Sequence, residues 1–337
     1  MDHALVLAGG AGTRFWPLSR RDRPKHLLPL LGPRSPLEET AARLEGLVPR
    51  SRIRVVTPPE HRERIAALLP GVGVLAEPEL RDTAPAAAFG LAEILAVDAD
   101  AAVLICPADH AISPAEEFRA CAAAALERAG ARRGIVLLGI RPTRPATGFG
   151  WFRRAGVAAR ARGRAVHAVA RFHEKPDLAT ATAYQESGDW LWNSGIAACA
   201  AAPMLARLAP GVPPGSSPAA VHAAAPRTSL DRMVLERSAD LEAIEATFDW
   251  DDLGSWPALA RHLVRDARGN AALGAVALFD ADACVVHADG HLVALVGVRD
   301  LVVVHTPDAT LVCARERAEE VKNLVEKLRT DGRTDLL

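Results

Sequence analysis

The chain has 337 residues, half of them hydrophobic, with 40 basic and 41 acidic side chains and a formal net charge of −1. That length implies about two domains and a well-buried core, and the charge balance excludes a polybasic nucleic-acid-binding or membrane-surface protein. Only four of the 40 cations are lysine (Lys25, Lys175, Lys322 and Lys327), so each lysine marks a place where arginine was not used.

The first 140 residues alternate strand and helix signals. Residues 4–7, 53–57, 102–106 and 135–140 are short runs rich in Val, Ile and Leu, as strands buried on both faces of a parallel sheet require. Ser35-Pro36-Leu37-Glu38 and Ser113-Pro114-Ala115-Glu116 each read as N-cap Ser, Pro at the first helical position and Glu two further on, a capping box. Thr83 is placed to cap a helix over 84–97. The βαβ pattern implies an open α/β sheet with ligands beyond the carboxyl ends of its strands.

From Gly148 shorter strands (166–172 and 195–199) mix with helices, and 210–226 reads as a Pro/Ala/Ser-rich loop. Beyond Asn270, runs at 275–279, 283–287, 292–296, 301–305 and 310–312 recur between Asp/Gly turns, as in a small sandwich or a β-solenoid. A last helix over 315–329 carries Val321, Leu324, Val325 and Leu328 on one face, with Lys322 and Lys327 solvated. The domain boundary falls at 266–272. No run reaches the roughly 18 apolar residues of a membrane helix, and the N-terminus lacks the basic start of a signal peptide. The five cysteines (Cys106, Cys121, Cys199, Cys284 and Cys313) are scattered without metal-binding spacing and read as buried, reduced thiols, which points to the cytoplasm.

The segment after the first strand, Leu7-Ala8-Gly9-Gly10-Ala11-Gly12-Thr13-Arg14, lets backbone approach an anion closely and aim N–H groups at it. It is neither a Walker loop nor a dinucleotide fingerprint, since no Lys-Ser/Thr follows and Phe15 stands where a third Gly belongs. A phosphate cradle ending in Arg14 remains, although a plain glycine turn would look the same. Lys25 in Arg23-Pro24-Lys25-His26 and Lys175 in His173-Glu174-Lys175-Pro176 are compact charges suited to phosphate oxygens. Asp109 lies just past a buried strand, and Phe248-Asp249-Trp250-Asp251-Asp252-Leu253-Gly254 supplies further carboxylates. One from each meets the needs of Mg²⁺, which takes one or two carboxylates and completes its shell with phosphate and water. A helix cap and an acidic turn are the alternatives. Glu77-Pro78-Glu79-Leu80-Arg81-Asp82-Thr83 and Trp192-Asn193-Ser194-Gly195 look like ligand walls, the latter offering an amide to sugar hydroxyls. His287 and His291 flank a turn and make no metal site.

These motifs, in this order across residues 4–256, resemble those of the sugar-1-phosphate nucleotidyltransferases, and Trp16-Pro17-Leu18-Ser19-Arg20, Pro107-Ala108-Asp109-His110, Phe172-His173-Glu174-Lys175-Pro176 and Leu253-Gly254-Ser255-Trp256 resemble the mannose-1-phosphate guanylyltransferase branch. The resemblance implies a Rossmann-like, GT-A-like nucleotide-diphospho-sugar transferase domain over 1–268 and a short left-handed β-helix-like domain with a terminal helix over 269–337. It implies that Ala8, Gly9, Gly10, Gly12 and Thr13 hold the GTP phosphates, with Arg14 and Lys25 catalytic. Asp109 and Asp252 would bind Mg²⁺, and Gly148, Glu174, Lys175 and Asn193 the mannose 1-phosphate. Glu77, Arg81 and Thr83 would lie near the guanine.

The implied reaction moves GMP from GTP to mannose 1-phosphate, without nucleic acid or membrane as partner. Stacked strands with unpaired edges suit homodimerisation through the tail. Asp82 stands where the resemblance would have Asn, Arg237 where Lys often follows Glu, and the 210–226 region is shortened. No cupin-like isomerase domain follows, so one activity is expected. The competing readings are a nucleotidyltransferase for another NTP or hexose 1-phosphate, and a non-catalytic nucleotide-sugar-binding regulator. The regulator should have lost Arg14, Lys25, Asp109 or Asp252, and all four are present.

Overall fold

A computed structural model describes residues 1–337, which form two compact units. The first comprises Met1–Gly9, Thr40–Ala108 and Ile112–Trp250; the second comprises Gly10–Glu39, Asp109–Ala111 and Asp251–Leu337. The chain therefore changes unit inside the glycine loop, between Glu39 and Thr40, on either side of the 109–111 tripeptide, and again between Trp250 and Asp251.

The strands up to residue 245 are β1 (Asp2–Leu7), β2 (Ile53–Thr57), β3 (Gly73–Ala76), β4 (Ala102–Pro107), the three-residue β5 (Ala111–Ser113), β6 (Ile135–Ile140), β7 (Gly150–Ala161), β8 (Arg164–Glu174), β9 (Trp190–Ala200) and β10 (Leu241–Glu245). All but β5 join one sheet in the order β3-β2-β1-β4-β9-β6-β10-β8-β7. Strands β1 to β4 run parallel, while β9 lies antiparallel between β4 and β6. Because β2 and β4 leave β1 in opposite directions, the carboxyl ends of β1 and β4 flank a topological switch point, where open sheets bind ligands. Leu7 and Pro107 are in register there, and the chain runs on from them into Gly9 and Ala108.

The four expected strands are β1, β2, β4 and β6. Strand β7 escapes sequence reading because its Ala and Arg residues leave much of it exposed and supply no Val/Ile run. The helices of this part are α1 (Pro36–Leu44), α2 (Arg62–Leu68), α3 (Thr83–Leu95), α4 (Ala115–Arg132), α5 (Leu178–Ser187), α6 (Ala201–Leu208) and α7 (Pro218–Ala224). Helix α3 is almost wholly buried and approaches the sheet so closely that a Cβ on Gly90 would lie 2.4 Å from Leu5 Cδ1.

The capping box at Ser35 forms in full: Ser35 N and Oγ donate to Glu38 Oε2 at 2.8 and 2.7 Å, and Glu38 N donates to Ser35 Oγ at 3.3 Å. The one expected at Ser113 does not. Pro114 itself takes the cap position, which leaves Ser113 one residue too early in β5, and Glu116 pairs with Arg119. Asp82, not Thr83, caps α3, its Oδ1 accepting from Thr83 N at 2.7 Å from a backbone at φ +78°. With ψ at 178° this is a conformation otherwise left almost entirely to glycine, and it holds here only because the surrounding structure enforces it. The expected loop at 210–226 contains α7, which Ser217 caps.

After β11 (Asp249–Asp251) come α8 (Trp256–Ala260), β12 (Ala271–Phe279), β13 (Val285–Val296), β14 (Leu301–Thr306), β15 (Ala309–Ala314) and α9 (Val321–Thr330). Strands β12, β13 and β14 stack in parallel and β15 closes the sheet antiparallel. Two of the five expected short runs are one strand, β13, and the last helix begins as a 3₁₀ turn, Arg315–Glu320. Asn270 holds the entry to this sheet: its Nδ2 donates to Asp266 Oδ2 and Ala281 O, and its Oδ1 accepts from Cys284 N. Phe15, Trp16 and Leu18 from the early segment share the second unit's apolar core with Trp256, Val302 and Val321. All five cysteines are free; four are buried and Cys313 is half-buried. No helix is long and apolar enough to cross a membrane.

Candidate functional site

Within the second unit the glycine loop, Lys25 and two aspartates come together. Gly12 sits at φ +67°, and any Cβ on it would lie 2.4 Å from Lys25 Cβ. Behind it the Lys25 side chain is 6 % exposed, and its ammonium donates to Asp109 Oδ2 at 2.7 Å and to the Asp252 carbonyl at 2.8 Å. An ammonium has three N–H bonds, so one remains beyond these two. Gly10 has open space where a Cβ would go. Thr13 and Arg14 lie in a 3₁₀ turn, and Arg14 Nε pairs with Glu319 Oε2 at 2.5 Å, so in this structure the tail holds that guanidinium.

Burial raises the Asp109 carboxyl, but the Lys25 ammonium, with His110 and His26 adding to it, brings it down to about 2. Asp252 is held above the usual carboxylate range by burial and by the charges of Asp251 and Asp109, against the pull of Lys25. Its Oδ1 accepts from Gly254 N at 3.0 Å, and a Cβ on Gly254 would strike its Oδ2 at 2.6 Å. Leu253, between them, stands at φ +45°, a conformation that bulky residues adopt only when their surroundings enforce it. Two carboxylates whose charges oppose each other suit a divalent cation that draws the rest of its shell from phosphate and water.

A second cluster lies within the first unit. Glu174 ends β8, its side chain 9 % exposed, and its Oε1 lies 3.1 Å from the Lys175 ammonium. Lys175 is exposed, and its backbone is at φ +52°. Asn193 in β9 is buried; its Nδ2 donates to Asp231 Oδ1 at 2.7 Å and its Oδ1 accepts from Gly195 N at 3.2 Å. Gly148 is exposed with nothing near its Cβ direction. The glycine that matters sterically is Gly150, where a Cβ would lie 2.6 Å from Glu174 Oε2 and 3.3 Å from Asn193 Cβ. Phe149, Trp192 and Trp250 pack edge-on beside this cluster, and the Arg144 guanidinium lies over the Phe149 and Trp192 rings. Gly150 and Asp231 escape sequence reading, as does the packing of Phe149 on Trp192 and Trp250.

The remaining candidates are engaged in the first unit's own structure. Ala8 is buried, with its N–H on Val56 O and its carbonyl accepting from the Thr57 hydroxyl, so both of its backbone groups are engaged with β2. Gly9 comes within 3.5 Å of Leu80 at its Cβ position. Glu77 is buried against His222 Nε2 at 3.0 Å, and burial raises its carboxyl. Arg81 donates to the carbonyls of His222 and Ala223, and Thr83 Oγ1 accepts from Leu230 N. These three residues therefore fasten the 222–230 segment.

Residues 3–268 match the Nucleotidyl transferase family, and residues 274–328 match the MannoseP isomerase/GMP-like β-helix domain. The Xanthan biosynthesis protein XanB of Xanthomonas campestris pv. campestris is 37 % identical over 355 residues, which cover 98 % of this chain and 74 % of that protein. The mannose-1-phosphate guanylyltransferase ManC of Salmonella typhimurium is 37 % identical over 358 residues, with the same coverage of 98 % and 74 %. A crystal structure from Thermus thermophilus, described as a mannose-1-phosphate geranyltransferase, superposes with a TM-score of 0.86 at 37 % identity over 97 % of this chain and 99 % of its own.

Proposed function

The chain belongs to the nucleotidyl transferase family, with a β-helix-like C-terminal domain, and from that membership we propose that it transfers GMP from GTP to α-D-mannose 1-phosphate, giving GDP-mannose and pyrophosphate. The observation that carries the assignment is the buried Lys25 ammonium joined to Asp109 and Asp252 behind Gly12. That is a cationic seat for phosphate beside a carboxylate pair.

A sugar phosphate carries nearly two negative charges at neutral pH, its second pKa being about 6, so its oxygen attacks the α-phosphorus without a general base. The protein's task is to bring two anions into line and stabilise the leaving pyrophosphate, and positioning and electrostatics supply most of such catalysis. Lys175 receives the phosphate of mannose 1-phosphate, and Glu174 and Asn193 receive its hydroxyls, with Gly148 beside them. The backbone of Gly9, Gly10, Gly12 and Thr13 cradles the GTP phosphates. The remaining N–H of Lys25 faces them, and Arg14 exchanges Glu319 for the leaving pyrophosphate. Mg²⁺ held by Asp109 and Asp252 supplies neutralising charge when bound. Glu77, Arg81 and Thr83 act on the guanine side through the segment they fasten.

The free thiols fit a reducing cytoplasm. The exposed Phe279, Leu292, Val296 and Val312 on the tail's strands fit a homodimer, which a sizing measurement checks. The purified protein, incubated with each NTP, several sugar 1-phosphates and Mg²⁺, should release pyrophosphate fastest with GTP and mannose 1-phosphate, and not at all with a chelator present. A preference for another pair would reassign the substrates, and no release with any pair would leave the regulatory reading.

A further inference from the structure

We infer that Asp231 is a positioning residue of the sugar site: its carboxylate fixes the Asn193 amide so that one N–H stays directed at a hydroxyl of the hexose 1-phosphate. The inference rests on the reading above that Glu174, Lys175 and Asn193 receive that substrate.

An Asn side chain has two N–H donors and one carbonyl acceptor, and it can present either end. Here the carbonyl accepts from Gly195 N and one N–H donates to Asp231 Oδ1. A carboxylate accepts only, so a flipped amide would set oxygen against oxygen and leave the Gly195 N–H facing a donor. Both ends of the flip are closed, and the second N–H is the group left for a ligand.

The fold goes to some length to bring Asp231 here. Asp231 opens a π-helical turn, Asp231–Leu235, closed by Glu236 N donating to Asp231 O at 2.9 Å. Single π turns are rare and frequently occur at functional sites. The turn is pinned from the other side of the sequence: Leu230 N donates to Thr83 Oγ1 at 2.9 Å, and Ala84 N donates to Thr228 O at 3.1 Å.

Charge completes the argument. The charged groups facing Asp231 are Glu174 and Lys175, at the end of β8; burial first, then the Glu174 charge, raise its carboxyl to about 6, against Asn193 and Lys175. Two crowded carboxylates are stabilised by hydroxyl donors and repel phosphate, whereas Lys175 attracts it. The cluster therefore gives the substrate a direction, with hydroxyls toward Glu174 and Asn193 and the phosphate toward Lys175.

The test is the Michaelis constant for each substrate in wild type, Asp231→Ala and Asp231→Asn across about pH 5.5 to 8, with calorimetric binding of mannose 1-phosphate alone as a second readout. Losing a hydrogen bond to a charged group costs about 1.5–3 kcal/mol, or roughly 10- to 150-fold. Asp231→Ala should weaken mannose 1-phosphate by about that factor and leave the GTP constant within about twofold. Asp231→Asn can accept from Asn193 but can also donate to a flipped amide, which then only Gly195 N opposes, so it should recover part of the loss. It should also lack that part of the wild-type weakening near pH 6 that exceeds the substrate's own ionisation, which all variants share.

An unchanged mannose 1-phosphate constant in Asp231→Ala overturns the proposal, as does a parallel loss for both substrates with a lowered melting temperature. If the alanine variant fails to fold, an Asn variant whose pH profile superposes on the wild type overturns it equally. Wild-type turnover with unaffected variants refutes the proposal alone. A wild type that neither turns over nor binds mannose 1-phosphate refutes the underlying reading, and the proposal with it.

Discussion

Gly12 and Lys25 are packed so closely that the loop glycine is, in effect, the wall against which the lysine stem rests: a Cβ would stand 2.4 Å from Lys25 Cβ. Gly10, two residues earlier, has no neighbour within 4 Å of that position. The two substitutions should therefore separate structure from ligand binding. Gly12→Ala should cost about 1–2 kcal/mol for its left-handed backbone alone, and more for displacing Lys25. Gly10→Ala should leave the melting temperature unchanged and raise the Michaelis constant for GTP. Thermal melts beside GTP kinetics check both; a GTP constant unaffected by Gly10→Ala would remove that residue from the phosphate cradle.

Lys25 cannot be replaced by the cation this chain otherwise prefers. Its pocket admits a compact ammonium bonded to Asp109 Oδ2 and the Asp252 carbonyl, and the planar guanidinium of arginine is a wider fork. Lys25→Met and Lys25→Arg should each lower turnover by about 10²-fold or more, as loss of a preorganised charge donor does. The loss should be equal in pyrophosphate release and in GTP formation from GDP-mannose. An active Lys25→Ala enzyme would end this assignment.

Glu242 gives a pH dependence with a defined sign. It is 5 % exposed, meets Arg128 at 2.8 Å and Arg132 at 3.1 Å, and the Arg128 hydrogen bond holds its carboxyl below the ordinary value. A depressed carboxylate contributes stability that is present above its unfolded pKa of about 4.3 and is lost as pH falls through the folded value. Glu242→Gln should lower stability by about 1–3 kcal/mol at pH 7. Its denaturation midpoint should then converge on that of the wild type below about pH 4.

The two Ser-Pro-x-Glu motifs should respond differently to the same change. Ser35→Ala removes the hydroxyl's two bonds in a formed capping box, leaving the backbone N–H of residue 35 on Glu38, and should cost about 1 kcal/mol. Ser113 caps nothing, Pro114 standing in its place, so Ser113→Ala should fall within about 0.5 kcal/mol of wild type. Equal costs in chemical denaturation would show that the second motif also caps.

Much of this was legible because it is local. The runs at 53–57 and 135–140 are strands to the residue, since short runs rich in Val, Ile and Leu suit strands buried on both faces of a sheet. The scarcity of lysine marks Lys25 independently of its neighbours in the fold. Local signals failed where a neighbouring residue competed for the same position, as Asp82 did with Thr83 and Pro114 with Ser113. They also failed where meaning lies in a distant partner. Asp231 is one acidic residue among 41, and only the fold sets it against an amide 38 residues earlier in the chain. Glu77 and Arg81 looked open to a ligand because nothing nearby in the sequence announces His222.

Trp16 Nε1 donates to the Leu336 carbonyl at 2.8 Å, and Arg20 reaches the same carbonyl and Asp308. The segment that carries the glycine-loop signature is thus fastened to residues made some 320 positions later. At about 5–20 residues per second, a ribosome needs on the order of tens of seconds to supply them. Through that interval the signature waits on a growing chain without its final supports. Contacts of such long sequence separation are slow to form, so the earliest part to emerge is among the last to be held in place. A translation product halted short of residue 336 would carry the whole glycine loop and lack the clasp that steadies it.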